Sequence, residues 1–144
     1  MTIAAILKHK GDHVVYVGPT IKIVDLARAL AARRIGAAAV RDDAGKLLGI
    51  ITERDVLFAI GAHGHATLDM TVSQLMTRDV KTIDLGAPVR AAVALMDGGH
   101  FRHLPVTDEG RLCGILSIRD LLKAYAAEQE GAVEGLKAWV TGAT

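Results

Sequence analysis

Apolar residues Ile23, Leu26, Ala27 and Leu30 recur at three- and four-residue spacing among polar neighbours, which predicts a helix over residues 21–34. A second is predicted over residues 87–96, with Pro88 suited to its first turn, and Gly36 and the pair Gly98-Gly99 are read as the stops. Two short apolar runs, 37–40 and 103–106, then read as buried strands. They turn at Asp43-Ala44-Gly45 and Asp108-Glu109-Gly110 into strands 46–51 and 111–116. Each hairpin leads into another helix, beginning near Thr52 and Ser117 and running through 56–60 and 121–130. Both halves of the chain thus read strand, helix, strand, strand, helix. Beyond Gly131, the spacing of Val133, Leu136 and Val140 beside Trp139 predicts a short amphipathic helix that needs a surface, either its own module or the other subunit of a dimer.

The two halves are copies. Gly49-Ile50-Ile51-Thr52-Glu53-Arg54-Asp55 and Gly114-Ile115-Leu116-Ser117-Ile118-Arg119-Asp120 share glycine, hydroxyl, arginine and aspartate at a constant separation. The match continues upstream once one residue is allowed for a longer first hairpin turn, and Thr2 to Leu7 resembles Thr71 to Met76. The first copy carries about three extra residues within 8–13, read as a loop insertion. The copies are assigned to 1–66 and 67–127, with a tail at 128–144. Repetition of polar residues at fixed points inside apolar runs directs attention to the strand-to-helix junctions.

Composition narrows the class without choosing the function. The chain has 144 residues, 51% of them hydrophobic and 23% charged, with a formal net charge of +1, values ordinary for a globular protein. A half of roughly 60 residues buries a small share of its surface, so the halves are expected to share one core about a pseudo-two-fold axis. The apolar runs fall far short of the roughly 20 residues of a membrane span, and no secretory leader is read at Met1-Thr2-Ile3. Cys113 has no cysteine to pair with, which suits a reducing cytoplasm. Near-neutral charge and 3% aromatic content give no footprint for nucleic acid.

The repeated Gly-x-x-Thr/Ser-x-x-Asp pattern has two physical readings. A Thr or Ser at a helix start accepts a backbone N–H, and an Asp three residues on favours the positive helix end, which is simple capping. The same N-terminus is an anion site, and Gly49 or Gly114 permits close approach of a ligand or a neighbouring backbone. Asp55 and Asp120 are then candidates to accept from a ribose diol, with Thr52, Ser117, Arg54 and Arg119 near phosphate. The two roles are compatible.

These paired units resemble a tandem of cystathionine-β-synthase-type (CBS) domains, the arrangement called a Bateman module, over residues 1–126. Val72-Ser73-Gln74-Leu75-Met76-Thr77, His103-Leu104-Pro105-Val106 and Asp108-Glu109-Gly110 join the duplicated motif in carrying that resemblance. It implies an α+β (mixed α/β) fold of two β-α-β-β-α repeats, with three-stranded sheets packed face to face and two clefts. Family members bind adenosine-containing ligands there: AMP, ADP, ATP, NAD or S-adenosylmethionine. By the same resemblance one cleft takes Asp120 on ribose, Ser117 near phosphate and Ile115 against adenine. Gly36 and Ala37 complete it, and it is closed by the segment around His13 and Val15. The companion cleft takes Asp55, Thr52 and Ile50, completed by Lys81, Arg102 and His103. The small Gly36-Ala37 pair, against the cation of Arg102 and the titratable ring of His103, makes the clefts unequal. The resemblance also implies a homodimer, and alanine-rich 27–32 suits close helix approach.

Other chemistry weighs less. Arg102 serves surface ion pairing as readily as phosphate. The pairs His9/His13, His63/His65 and His100/His103 lack cysteine and any regular spacing, so no metal site is assigned, and His63-Gly64-His65 reads as a flexible connector. Cys113, on an apolar strand, reads as a buried small hydrophobe. No nucleophile has an identifiable base, so catalysis is not expected. Two functions stand: a regulatory sensor of adenine nucleotides acting on an unidentified protein target, and a CBS-fold scaffold that binds protein but not nucleotide.

Overall fold

The computed structural model describes residues 2–10 and 14–140; His13 lies outside the described residues. The elements run α1 (Ile3–Lys10), β1 (Tyr16–Val17), α2 (Ile23–Arg33), β2 (Ala37–Arg41), β3 (Leu47–Thr52), α3 (Glu53–His63), a 3-10 helix (Gly64–Asp69), α4 (Val72–Leu75), β4 (Ile83–Asp84), α5 (Val89–Gly99), β5 (His103–Asp108), β6 (Arg111–Ser117) and α6 (Ile118–Val140). The two expected β-α-β-β-α runs are both present, each with a three-stranded mixed sheet. The sheet orders are β1-β2-β3 and β4-β5-β6, the first pair parallel and the second antiparallel in each.

The hairpins repeat residue for residue. Ala37 faces Thr52, Ala39 faces Ile50 and Val40 faces Gly49; His103 faces Ser117, Pro105 faces Ile115 and Val106 faces Gly114. Both bulge immediately after that glycine pair, so the residue by which the copies differ falls in the turn, where Asp42 accepts the Lys46 N–H at 2.8 Å. The central stretches 37–40 of β2 and 104–106 of β5 are apolar and buried at every position, so both of their faces are covered.

The chain divides into two compact units that do not follow the sequence copies. One comprises Met1–Asp12 with Thr82–Thr144, the other His13–Lys81. In the first, α1 places Ile3, Ile6 and Leu7 in a cluster with Ile83, Ala92, Met96, Leu104, Val106, Leu116 and Leu121. In the second, Val72 and Met76 join Ile23, Leu26, Leu30, Ala38, Val40 and Ile51. Opening segments Thr2–Leu7 and Thr71–Met76 are therefore exchanged, each covering the other copy's sheet. Thr2 bridges Pro88 as Thr71 bridges Lys22. Each unit thus holds a cluster of buried apolar residues of its own, and the exchanged segments supply it with apolar cover from outside its own copy.

Four local expectations also change. Residues 8–10 are helix rather than loop, since α1 continues through Lys8, His9 and Lys10, and the two lysines are cations that suit a helix C-terminus. Helices α2 and α5 end not on glycine but on left-handed Arg34 (φ 54°) and His100 (φ 55°). The Arg34 and Ile35 N–H groups close back onto Ala31 and Leu30, the pattern usually served by glycine. Residues 64–69 form a 3-10 helix instead of an open connector, with Thr67 buried. The tail is not a separate helix: α6 runs 23 residues through Gly131, leaving Leu122, Tyr125, Val133, Leu136 and Trp139 exposed. No helix among the described residues is long and apolar enough to cross a membrane.

Candidate functional site

Each duplicated motif sits where the last strand of its sheet enters a helix. At α3, Thr52 is extended (φ −122°, ψ 163°) and its hydroxyl oxygen accepts the Asp55 N–H at 3.3 Å. Asp55 Oδ2 in return accepts the Thr52 N–H at 2.9 Å and the Thr52 hydroxyl at 3.2 Å. At α6, Ser117 Oγ accepts the Asp120 N–H at 3.1 Å and Asp120 Oδ2 accepts the Ser117 N–H at 2.8 Å. Both are reciprocal capping boxes with aspartate in place of the usual Glu or Gln, so the bland reading of the motif is realised twice.

The preceding residues carry the differences. Ile50 and Thr77 exchange two backbone hydrogen bonds, 3.0 and 2.9 Å, so an extended stretch after α4 runs along the free edge of β3. A Cβ on Gly49 would collide with the Thr77 carbonyl, which explains the glycine by close backbone approach. In the other unit the same place receives α1: a Cβ on Gly114 would press on the Leu7 side chain. Among the described residues no backbone bonds Ile115 on the edge of β6 away from β5. Instead Lys10, at the end of α1, donates from Nζ to the Ile115 carbonyl at 2.6 Å and to Asp120 Oδ2 at 2.7 Å. Burial pushes the Asp120 carboxyl up, but the Lys10 hydrogen bond, the Ser117 N–H and the Lys10 charge outweigh it and hold the group below the usual carboxylate range.

The remaining candidates group by unit. Gly36 and Ala37 stand beside Thr52, with the Gly36 carbonyl accepting the Glu53 N–H at 2.9 Å and the Glu53 carboxylate lying over Gly36. Arg102 and His103 stand beside Ser117, the Arg102 carbonyl accepting the Ile118 N–H at 2.9 Å. The Val15 carbonyl accepts the Ala39 N–H, Lys81 is exposed, and Ile50 and Ile115 are buried. The Arg54 guanidinium lies 5.2 Å from the Phe58 ring centroid, a cation–π contact, whereas Arg119 is exposed. Lys10 is absent from the sequence-derived candidates because residues 8–13 read as a loop insertion; the helical spacing of Ile3, Ile6 and Leu7 is the signal that leads to it.

Elsewhere, Cys113 is half-buried rather than buried, its thiol 3.4 Å from the Val106 carbonyl. No three His, Cys, Asp or Glu residues gather into a metal-holding group among the described residues. A shallow groove lined by Pro88, Val89, Arg90, Val93, Tyr125 and Glu128 includes no motif residue.

The family model of the CBS domain matches residues 9–62 and again 72–127. A protein of Acidianus ambivalens is 37% identical over 109 residues, covering 75% of this chain; the chain spans 65% of that relative's length. A CBS-domain-containing protein from Agrobacterium tumefaciens has a similar structure, with TM-score 0.84 and 42% identity over 87% of this chain and 99% of its own. A CBS domain pair solved in complex with 5′-methylthioadenosine and S-adenosyl-L-methionine gives TM-score 0.77 at 25% identity, covering 89% of this chain and 98% of its own. Two family matches, the doubled sheet-and-helix unit and the doubled capping motif agree: this chain belongs to the CBS domain family and carries a pair of such domains.

Proposed function

We propose that this CBS pair is a regulatory module that binds adenosine-containing ligands at its two strand-to-helix junctions and signals to a protein partner without catalysing a reaction. The observation that carries the reading is the duplicated hydroxyl and aspartate at a helix N-terminus, with Asp120 held ionised beside a cation. A carboxylate there accepts from a ribose diol, and the helix N-terminus with its hydroxyl favours phosphate. In this reading Asp120, Ser117 and Ile115 form one set and Asp55, Thr52 and Ile50 the other. Gly36, Ala37, Val15, His13, Lys81, Arg102, His103, Arg54 and Arg119 are supporting candidates. The methylthioadenosine and S-adenosylmethionine bound by a relative at 25% identity support the ligand class, and AMP, ADP, ATP and NAD share its adenosine.

Exposed Leu57, Phe58 and Ile60 on α3, with Ile118, Leu122 and Tyr125 on α6, support a homodimer formed through these helices. A cytoplasmic setting is part of the proposal. Partner and output belong to it too, since coupling requires a ligand to prefer one arrangement over another.

Thermal unfolding with each of AMP, ADP, ATP, NAD and S-adenosylmethionine tests the reading. Ligand at a hundred times its Kd adds about 2.7 kcal/mol, a melting shift of roughly 5 to 10 °C. The shift should be lost in Asp120→Ala, Asp55→Ala or both, according to which junction is occupied. One observation favours a second reading: the capping boxes account for Thr52, Asp55, Ser117 and Asp120 without any ligand. A protein that no ligand stabilises, and that carries no nucleotide on purification, is the scaffold.

A further inference from the structure

The acceptors at the two junctions are satisfied in different ways. In the 13–81 unit, the Ile50 carbonyl takes the Thr77 N–H and Asp55 Oδ2 takes the Thr52 N–H and hydroxyl, all short-range or backbone donors. In the other unit, the Ile115 carbonyl and Asp120 Oδ2 are joined by one ammonium, that of Lys10. Its side chain is about one-third exposed and hangs on four rotatable bonds, so it can withdraw without unfolding either element. Asp120 Oδ1 receives no hydrogen bond from the described residues. A carbonyl and a carboxylate converging on one donor group form the kind of position a ligand hydroxyl pair occupies, and here the protein fills it with its own cation.

Displacement of Lys10 has a charge consequence. A neutral nucleoside that takes over Asp120 leaves the ammonium without its carboxylate. A nucleotide brings phosphate near a carboxylate already in place, and the released ammonium neutralises that repulsion. Resting on the ligand reading above, we propose that Lys10 is an internal occupant of the Ser117–Asp120 site that transfers from Asp120 to the ligand's phosphate, so that this site selects phosphorylated adenosine ligands over neutral ones. Lys10 thus acts as a specificity residue whose resting partner is the very group the ligand needs.

Calorimetric titration of AMP and of adenosine into the full chain tests this, using an Asp55→Asn background to leave one aspartate-bearing junction. Lys10→Met is expected to weaken AMP about tenfold, the contribution of one charge-assisted hydrogen bond, and to leave adenosine equal or tighter. Lys10→Arg is expected to retain the preference for AMP. If Lys10→Met lowers melting enough to compromise folding, Lys10→Gln, which keeps a donor but no charge, carries the same expectation. An AMP-to-adenosine ratio unchanged by Lys10→Met overturns the inference while leaving the ligand reading intact. Failure of the Asp55→Asn protein to bind either compound, while Asp120→Asn with Asp55 intact binds AMP, places the ligand at the other junction and overturns the inference alone. Failure of the wild type to bind any adenosine compound removes both.

Discussion

The Thr52–Asp55 and Ser117–Asp120 junctions share their capping geometry but differ in what covers the strand in front of it. Backbone of Thr77 lies along β3 beside Gly49, whereas side chains of α1, Leu7 and Lys10, cover β6 beside Gly114. Duplication has preserved the cap and allowed its surroundings to diverge. The first junction is met by backbone hydrogen bonds and the second by a side-chain ammonium.

Substitutions at the motif glycines should separate the two most strongly. Gly49→Ala must move the Thr77 carbonyl and break its pairing with Ile50, for an expected loss of about 3 kcal/mol, while Gly114→Ala meets the end of a flexible leucine and should cost about 1 kcal/mol. Urea denaturation of both variants measures the gap, and equal losses would erase the distinction. Cap removal should show the opposite behaviour. Thr52→Ala and Ser117→Ala are each expected to cost about 1 kcal/mol, since both boxes have the same two bonds to backbone N–H groups; a twofold larger loss at Thr52 would mean that its added hydroxyl bond to Asp55 also stabilises the fold.

The Lys10 pair is pH-dependent in a defined direction. Because the folded Asp120 carboxyl lies below its unfolded value, its contribution is present above the ordinary carboxylate range and is lost as pH falls through the lower, folded value. Lys10→Met should therefore destabilise the protein by about 0.5 to 1 kcal/mol at pH 7 and converge with wild type in acid. Melting curves from pH 7 to pH 2 check this; a constant difference would assign Lys10 a packing role only. The smallest effect concerns the helix ends: Arg34→Gly and His100→Gly should each raise stability by about 0.5 kcal/mol by relieving left-handed strain. Equal gains would show that the two copies store the same strain, and a loss at either would reveal a side-chain role.

Much of this was legible because the signals were local. The hairpin register, the helix starts at Thr52 and Ser117 and the turn of unequal length all follow from residue types within a few positions of one another. Helix stops were misplaced because glycine is the cheapest left-handed residue, and this chain uses Arg34 and His100 there instead. The exchange of α1 and α4 could not be read at all: the apolar stripe of Ile3, Ile6 and Leu7 shows that a surface is needed but not which sheet provides it. Lys10 follows from that, since its contact with Asp120 exists only because α1 lies on β6.

That exchange also orders events during synthesis. Helix α1 leaves the ribosome ahead of the sheet it covers, which is made only after all of residues 13–81 have emerged. Ile3, Ile6 and Leu7 must wait as bare apolar surface while the intervening unit, whose parts are contiguous in the chain, is free to fold around its own α4. The unit built from separated segments must close across residues 13–81, and that sequence separation slows its closure relative to the contiguous unit.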